Sequence, residues 1–390
     1  MKNKFGKTIE LLAPAGNFSR LKTALYFGAD AVYLGGKEFG LRAKCGNFTE
    51  EEITDAVIYA HSLGKKAYVT ANIFAANSDL CELEKYAKFL ENAGVDAVIV
   101  SDLGVLDIFT TLTNLEVHIS TQANVCNSYA AMKYVQLGAR RIILARELPI
   151  DDISEICGIL RGKADIEVFV HGAMCISYSG RCLMSKYMTG RNANRGDCAH
   201  PCRYKYALQE ETRPGEYFPI EEDSNGTYIM NSRDLCLINK LNELADAGVA
   251  CFKIEGRMKN EHYVGGVVNV YRRAMNRENF DFPAELEKLP HRPFTTGFTF
   301  NDEHKEFIKS SAIILNYQIA AVVMENNLIR IKNKITTGDE IEILSPSVCN
   351  GKTFIYNGET FNIPEQVVHI DCPHDINPCD ILIKKARRYE

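Results

Sequence analysis

One short pattern recurs along the chain: a helix-like segment ends on glycine, and a run of apolar and β-branched residues follows at once. Five glycines stand at this junction: Gly28, Gly64, Gly94, Gly138 and Gly248. Glycine readily adopts the left-handed conformation that ends many helices, and a continuous apolar run suits a parallel strand buried on both faces. The pattern therefore predicts alternating helices and parallel strands.

Eight strands of this kind can be assigned: Ile9–Leu12, Ala31–Leu34, Ala67–Thr70, Ala97–Val100, Val117–Ser120, Arg141–Leu144, Glu167–Val170 and Cys251–Ile254. Amphipathic helices fit between them, for example Thr49–Ser62 with Thr49 as N-cap and Asp79–Asn92 with Ser78 as N-cap. Eight such units in about 270 residues predict an α/β fold, a TIM-like (β/α)8 barrel over residues 1–280. A doubly wound open sheet is the alternative.

The seventh unit contains a long insertion, and the chain changes character after the barrel. The seventh strand ends near His171 and the next convincing helix begins near Leu237, which leaves a Cys-rich insertion over 171–236. Loops at the carboxyl ends of barrel strands carry the chemistry of this fold, so we expect function there. Residues 300–390 show short strand patterns, such as Glu340–Leu344, and predict a small C-terminal β-barrel or sandwich.

Composition excludes several classes of protein. Apolar residues make up 46% of the 390 residues and charged residues 24%, the balance of an ordinary globular protein. No apolar run reaches the ~20 residues of a membrane helix, and the N-terminus lacks the apolar stretch of a signal peptide, so we expect a cytoplasmic protein without membrane contact. The formal net charge is −5, so RNA binding would require a local basic patch.

Cysteine is unusually frequent in the insertion, which contains five: Cys175, Cys182, Cys198, Cys202 and Cys236. Disulfides are rare in a reducing compartment, and the thirteen cysteines of the chain are an odd number that cannot pair completely. Zinc ribbons use paired CxxC knuckles, which are missing from the sequence. Four thiolates on loops around a barrel mouth suit a [4Fe–4S] cluster; zinc and unligated thiols remain alternatives.

The insertion is also basic in an acidic chain. Its cations lie within twenty-five residues: Arg181, Lys186, Arg191, Arg195, Arg203 and Lys205. Such a patch would offset the charge of a thiolate-ligated cluster or attract an anion, RNA phosphate or a carboxylate, whereas a merely solvated loop is the alternative. Interleaved tyrosines have rings on which bases stack, although such rings more often pack in the protein: Tyr178, Tyr187, Tyr204 and Tyr206.

Six segments carry a resemblance to a known family: Leu12–Asn17, Tyr33–Gly36, Glu167–Ser185, Lys253–Lys259, Arg292–Phe298 and Gly338–Ile343. The third includes His171-Gly172-Ala173-Met174-Cys175 and Ser179-Gly180-Arg181-Cys182. In this order, over nearly the whole chain, they resemble the collagenase-like peptidase family U-32. The resemblance covers both the predicted barrel and the C-terminal segment.

The family implies two different activities. Its founding members were labelled collagenases or proteases, whereas other relatives are oxygen-independent hydroxylation proteins with [4Fe–4S] clusters. One branch hydroxylates carbon 5 of the tRNA wobble uridine with prephenate, another acts on a ribosomal RNA cytidine, and a third works in ubiquinone biosynthesis. The first looks most similar to this chain. The resemblance therefore implies tRNA wobble-uridine hydroxylation, with prephenate as co-substrate and the anticodon loop held by the basic insertion.

The resemblance also implies ligands and a partner. In the most similar branch, the cluster ligands correspond to four cysteines: Cys175, Cys182, Cys198 and Cys236. Another branch makes Cys45 and Cys202 second choices. Because some family members work in pairs, a paralogous subunit is a further expected partner.

Polar side chains at strand ends complete the candidate site. We assign catalytic roles to His171, Glu255 and Arg257, and substrate binding to residues at strand ends and in the insertion: Arg42, Asn72, Gln122, Arg181, Lys186, Arg191 and Arg195. Glu255 and Arg257 would share one side of an extended strand, and the Arg257 guanidinium would bind a carboxylate through its fork. A structural salt bridge or hydrogen bond is the alternative for each residue.

Peptidase activity is the alternative function. The sequence has no HExxH and no GxSxG motif, which argues against two common hydrolase classes. His171 stands four residues before Cys175, so a thiol–imidazole pair is not excluded.

Overall fold

In this computed structural model, the described residues are 1–41, 47–175, 177, 181–203, 208–209, 217–218, 222–223, 226–227, 233–300 and 313–386. The candidates Arg42 and Cys45 therefore lie outside the described residues, as do Tyr178, Tyr204, Lys205 and Tyr206.

The strands up to the end of the barrel are β1 (Glu10–Pro14), β2 (Ala31–Gly35), β3 (Lys66–Ala71), β4 (Ala97–Val100), β5 (Glu116–Ile119), β6 (Arg141–Ile143), β7 (Asp165–Ala173), β8 (Leu208–Gln209), β9 (Tyr217–Phe218), β10 (Glu222–Asp223), β11 (Gly226–Thr227), β12 (Asp234–Cys236) and β13 (Cys251–Ile254). Strands β1 to β7 pair in parallel and in sequence order, and β13 pairs with both β7 and β1. This closure confirms the eight-stranded barrel and excludes the open doubly wound sheet.

The helices are α1 (Phe18–Tyr26), α2 (Glu50–Ser62), α3 (Leu80–Asn92), α4 (Leu103–Leu112), α5 (Ser128–Gln136), α6 (Ile150–Leu160), α7 (Met184–Thr189), α8 (Leu241–Ala247), α9 (Glu261–Met275) and α10 (Phe282–Leu286). The five repeat glycines all have positive φ, between 67° and 105°, as expected at helix ends that lead into strands. Within the described ranges, no helix is long and apolar enough to cross a membrane.

The two predicted N-caps have different outcomes. Thr49 caps α2 in a capping box with Glu52, which confirms that prediction. The prediction for α3 was wrong, because Ser78 lies inside a 3₁₀ turn, Asn77–Asp79, that precedes the helix. The Asp79 carboxylate accepts a hydrogen bond from the Ala76 N–H at 2.7 Å and holds this turn, so the α-helix begins only at Leu80.

The insertion returns to the barrel through β12. This strand pairs antiparallel with the end of β7, opposite His171, Gly172 and Ala173, and in parallel with β14 (Phe294–Thr295). The Arg292 side chain donates to Asp234 Oδ1 from Nε at 3.0 Å and from Nη2 at 2.7 Å. A buried, two-pronged ion pair therefore fastens the end of the insertion to the chain that follows the barrel.

The remaining strands form an antiparallel half-barrel: β15 (Tyr317–Val323), β16 (Leu328–Ile331), β17 (Glu340–Leu344), β18 (Thr353–Ile355), β19 (Val367–His369) and β20 (Ile381–Lys385). Their order is β18-β17-β20-β15-β16-β19, and the sequence-predicted strand Glu340–Leu344 is β17. Ile319, Ile381 and Ile383 belong to the hydrophobic core of the barrel, while Ile329 and Leu382 belong to a second core. The half-barrel therefore shares one core with the barrel and has another of its own.

A layer of buried charges crosses the interior of the barrel. Arg141 on β6 contacts Glu10 Oε1 at 2.6 Å and Glu167 Oε2 at 3.2 Å, and Lys253 Nζ on β13 lies 2.8 Å from Glu167 Oε1. Burial opposes ionisation of Glu167, but the charges of Lys253 and Arg141 outweigh that cost and lower its pKa to about 2. Two carboxylates thus balance two cations in the interior.

We expect Glu167→Gln to lower the free energy of unfolding by about 3 kcal/mol, because it leaves the buried Lys253 without its counter-ion. Since the folded pKa of Glu167 is lowered, its stabilisation is complete above the unfolded value of about 4.3 and disappears as the pH falls towards the folded value. Urea unfolding at pH 7 and at acidic pH measures both effects. The exposed Glu155→Gln is the control; equal effects of the two variants at pH 7 would contradict the prediction.

Candidate active site at the mouth of the barrel

A cavity of about 80 Å³ lies among the carboxyl ends of the barrel strands. Its lining combines polar, charged and a few apolar side chains: Tyr33, Leu41, Thr70, Asn72, Ile99, Ser120, Thr121, Gln122, Arg146, Phe169, Lys253, Glu255 and Arg257. Four sequence-predicted site residues, Asn72, Gln122, Glu255 and Arg257, therefore come together here. A polar cavity at this end of a barrel is where enzymes of this fold place their chemistry.

Glu255 reaches the cavity because side chains alternate along β13 and its continuation, with Lys253 and Glu255 on the same side. The Tyr33 hydroxyl lies 3.1 Å from Glu255 Oε2 and 3.0 Å from the Ile254 carbonyl oxygen. A phenol has one proton to donate, so these two acceptors compete for it. The carboxylate is thus oriented by a neighbour on β2 while it still borders the cavity.

Arg257 is a buried side chain that ties together the loop after β2. Its Nη1 donates to Thr70 Oγ1 at 3.0 Å, and its Nη2 donates to the Leu41 carbonyl at 2.6 Å and to Asn47 Oδ1 at 3.3 Å. Leu41 and Asn47 flank residues 42–46, so the guanidinium holds both ends of this loop. Arg257 thus borders the cavity and also supports its wall.

Gly35 leaves room for that guanidinium. A Cβ atom at Gly35 would lie 2.7 Å from Arg257 Nη1 and 2.9 Å from its Cζ, closer than real Cβ contacts come. Because three hydrogen bonds hold the guanidinium, it cannot move aside freely.

Asn72 and Gln122 differ in the hydrogen bonds that their side chains make. Asn72 Oδ1 accepts a hydrogen bond from the Leu41 N–H at 3.1 Å, and its amide group lies 3.5 Å from Ser120 Oγ. Gln122 follows β5 in a 3₁₀ turn whose N-cap is Ser120. Among the described residues, the Gln122 side-chain amide makes no hydrogen bond, so it is available to a ligand in the cavity.

His171 lies outside the cavity lining. A β-bulge changes the register between β7 and β13, so that Phe169 is opposite Lys253 but His171 is opposite Ile254. The ring is 2% exposed, and its Nδ1 lies 3.3 Å from the Tyr271 hydroxyl. Burial lowers the pKa of His171 to about 3, so the imidazole is neutral. Its catalytic role stays a prediction, and its position separates it from the other two catalytic candidates, Glu255 and Arg257.

The four cysteines named as cluster ligands occupy different settings. Cys175 is exposed beyond the end of β7, whereas Cys182 and Cys198 are half-buried on either side of α7. Cys236 ends β12, where burial raises the pKa of its thiol to about 11, and the Tyr271 hydroxyl lies 4.0 Å from its sulfur.

Thiols are the right donors for an iron–sulfur cluster, but the arrangement does not yet fit one. In the part of the chain that the structure describes, no three His, Cys, Asp or Glu side chains converge to hold a metal ion. We therefore derive no reaction step through a cluster.

The cations of the insertion are engaged to different degrees. Arg191 Nε lies 2.9 Å from Asp197 Oδ1, and Arg195 Nη1 lies 2.9 Å from Asp79 Oδ2. Lys186 Nζ donates to the Gly190 carbonyl, and Arg181 stacks 5.9 Å from the centre of the Phe74 ring. The Arg195 contact joins the insertion to the loop after β3. The patch is therefore partly neutralised by two carboxylates, and its charges also shape the loop.

The sequence interpretation did not single out two cations of the cavity, Arg146 and Lys253. Arg146 lies three residues beyond the end of β6, so the strand-end rule that found Asn72 and Gln122 would also have found it. Lys253 lies within β13, where alternation with Glu255 was the available signal.

Comparison with known proteins shows the family. Residues 16–309 match the model of peptidase family U32. An uncharacterised protease of Methanocaldococcus jannaschii is 39% identical over 97% of this chain and 93% of its own length. The tRNA hydroxylation protein P1 of Bacillus subtilis is 38% identical over 88% of this chain and 85% of its own length. The tRNA hydroxylation protein P of Escherichia coli is 33% identical, covering 86% of each chain. The chain belongs to peptidase family U32, as its motifs predicted.

We expect Gly35→Ala to destabilise the protein by about 1–3 kcal/mol, because the added methyl group would displace the Arg257 guanidinium. Gly158→Ala on α6 is the matched control: nothing lies within 4 Å of its Cβ position, and alanine should add about 1 kcal/mol of stability in a helix. Urea unfolding of both variants measures the difference. A Gly35→Ala protein as stable as wild type would show that Arg257 is not held in place.

Proposed function

We propose that the protein is an RNA-hydroxylating enzyme and that its substrate is the wobble uridine of tRNA, hydroxylated at carbon 5. The observation that carries the proposal is the 38% identity to a protein named for tRNA hydroxylation, extending over 88% of this chain. Similarity over most of the length of both proteins favours a common substrate class. We also propose prephenate as the co-substrate and a [4Fe–4S] cluster as the cofactor.

The mouth of the barrel supports this chemistry with a polar, mainly cationic cavity. Glu255 is the one carboxylate among the described lining residues, and Lys253, Arg146 and Arg257 line the same cavity. A carboxylate held at this position is placed to accept or return the proton of a reacting group. The amide of Gln122 supplies both a donor and an acceptor for orienting a base or an acid.

The insertion supplies surface features that suit an RNA loop. Tyr187 on α7 is 89% exposed, beside the exposed Lys186 and Arg181. An exposed ring among cations is the combination on which unpaired bases stack and phosphates bind. The anticodon loop would lie against α7 with its wobble base turned out of the stack towards the cavity. Such binding should weaken steeply with salt.

The cluster is proposed on the four cysteines of the insertion, Cys175, Cys182, Cys198 and Cys236. Their chemistry fits iron, and bringing them together would require residues of the insertion to change position when the cluster is assembled. A bound cluster would supply redox chemistry at the mouth of the barrel. A paralogous subunit is a further proposed partner.

Iron and acid-labile sulfide measured on protein purified without oxygen test the cofactor. We expect about four irons per chain and an absorption band in the visible region, both lost in Cys175→Ala and Cys236→Ala. Cys81→Ala, which removes an exposed thiol on α3, is the matched control and should retain the iron. Wild-type protein with zinc or with free thiols would remove the cluster from the proposal.

Wobble-uridine hydroxylation in a strain that lacks the activity tests the reaction. We expect the wild-type gene to restore hydroxylated uridine, and Glu255→Gln to reduce the rate about 100-fold because the cavity loses its proton acceptor. The exposed Glu84→Gln on α3 is the control. Mass spectrometry of digested tRNA gives the readout, and unmodified tRNA with the wild-type gene would reject the substrate.

Peptide cleavage is the second candidate, because the archaeal relative is called a protease. The geometry does not favour a thiol–imidazole pair: His171 is buried against Tyr271, and among the described contacts no hydrogen bond joins it to the exposed Cys175. Cleavage of denatured collagen by metal-free protein, lost in Cys175→Ala, would support the peptidase.

A further inference from the structure

Arg146 is a cation at the wall of the cavity with one internal hydrogen bond. Its Nη1 donates to the Ala173 carbonyl at 2.8 Å, and its guanidinium carbon lies 4.4 Å from the centre of the Phe169 ring. The Nε atom is buried and, within the described residues, has no hydrogen-bond partner. A buried donor without an acceptor costs free energy, and an acceptor supplied by a ligand would remove that cost.

No carboxylate of the described residues pairs with Arg146, in contrast to Arg141 and Lys253. Arg141, five residues earlier, contacts Glu10 and Glu167, and Lys253 contacts Glu167. Arg146 thus has no carboxylate partner among the described residues, and it borders the cavity.

A second cation shares the same aromatic ring. Lys253 Nζ lies 5.4 Å from the centre of the Phe169 ring, and Arg146 lies 4.4 Å from it. Lys253 is paired with Glu167, so Arg146 is the cation at this ring for which the described residues supply no carboxylate. Phe169 itself positions the flat face of the guanidinium and leaves its edge for a ligand.

We infer that Arg146 is the anion-binding residue of the cavity and that it takes the carboxylate of a small organic acid. The forked N–H groups of arginine match the two oxygens of a carboxylate, and Nε is the donor that lacks an acceptor. Gln122, whose amide is available in the same cavity, can bind a further oxygen of the acid. The inference rests on the proposed function, in which a carboxylic acid is the co-substrate. It assigns Arg146 as the residue that binds this acid.

A small acid fits better than an RNA phosphate because of the size and depth of the cavity. The space is about 80 Å³ and is bounded by the buried side chains of Phe169 and Ile99. A phosphodiester continues into a nucleotide on each side. A terminal carboxylate can enter alone.

Calorimetric titration of prephenate into the purified protein tests the inference. We expect binding to wild type, a loss of about tenfold or more in affinity in Arg146→Gln, and an intermediate loss in Arg146→Lys, which keeps the charge without the fork. Arg140→Gln is the matched control, since it removes an exposed arginine just before β6 and changes the net charge equally. Phenylpyruvate and its uncharged methyl ester are a second pair of probes. We expect wild type to bind phenylpyruvate more tightly than the ester, because the ester has no charged carboxylate for Arg146 to bind.

The outcomes separate this inference from the proposed function. No binding of either acid to wild type, or equal affinity of wild type, Arg140→Gln and Arg146→Gln, would overturn the role of Arg146 even if tRNA is hydroxylated. Arg146-dependent binding together with unmodified tRNA would uphold that role and reject the RNA substrate. Arg146 Nη1 also donates to the Ala173 carbonyl, so an unfolding curve is measured for each variant that is titrated. If Arg146→Gln does not fold, the affinity of Arg146→Lys tests the inference instead.

Discussion

The buried carboxylate of Glu167 is the interaction on which the interior of the barrel depends. It lies between Arg141 and Lys253, which stand on the strands on either side of β7, and its lowered pKa keeps it charged at any physiological pH. Without it, two cations would be buried against Phe169 and Tyr68, with Glu10 and the more distant Asp165 contacting Arg141 and no carboxylate of the described residues contacting Lys253. Charge balance in this layer allows a barrel with polar residues in its interior to be stable.

The strand β13 connects this layer to the cavity. Its alternating side chains run from Cys251 among the buried charges, through Lys253, to Glu255 at the mouth, and Arg257 continues the series into the loop. One strand thus contributes to the stability of the barrel and to the candidate chemistry, so changes in either affect the other. The loop after β2 depends on the same strand, because Arg257 holds the chain on both sides of residues 42–46.

The insertion carries the strongest sequence signal of the chain. Its thiols have the chemistry of iron–sulfur ligands, yet the described residues do not bring three of them together. Arg191 and Arg195, assigned to substrate binding, pair with Asp197 and Asp79 and so help to shape the loop. Cys236 is the best fixed of the thiols, since β12 pairs with β7.

The sequence by itself determined the barrel, because glycine at helix ends and apolar runs act over a few residues, and it placed Asn72, Gln122, Glu255 and Arg257 at one edge for the same reason. Tertiary structure alone decided where each side chain points and which charges are already paired. Strict alternation along β7 would have pointed His171 towards the cavity, on the same side as Phe169. A β-bulge, which depends on the neighbouring strand, turned His171 away from it. Pairing across strands neutralised Lys253 and left Arg146 without a carboxylate among the described residues, and no local pattern contains that information.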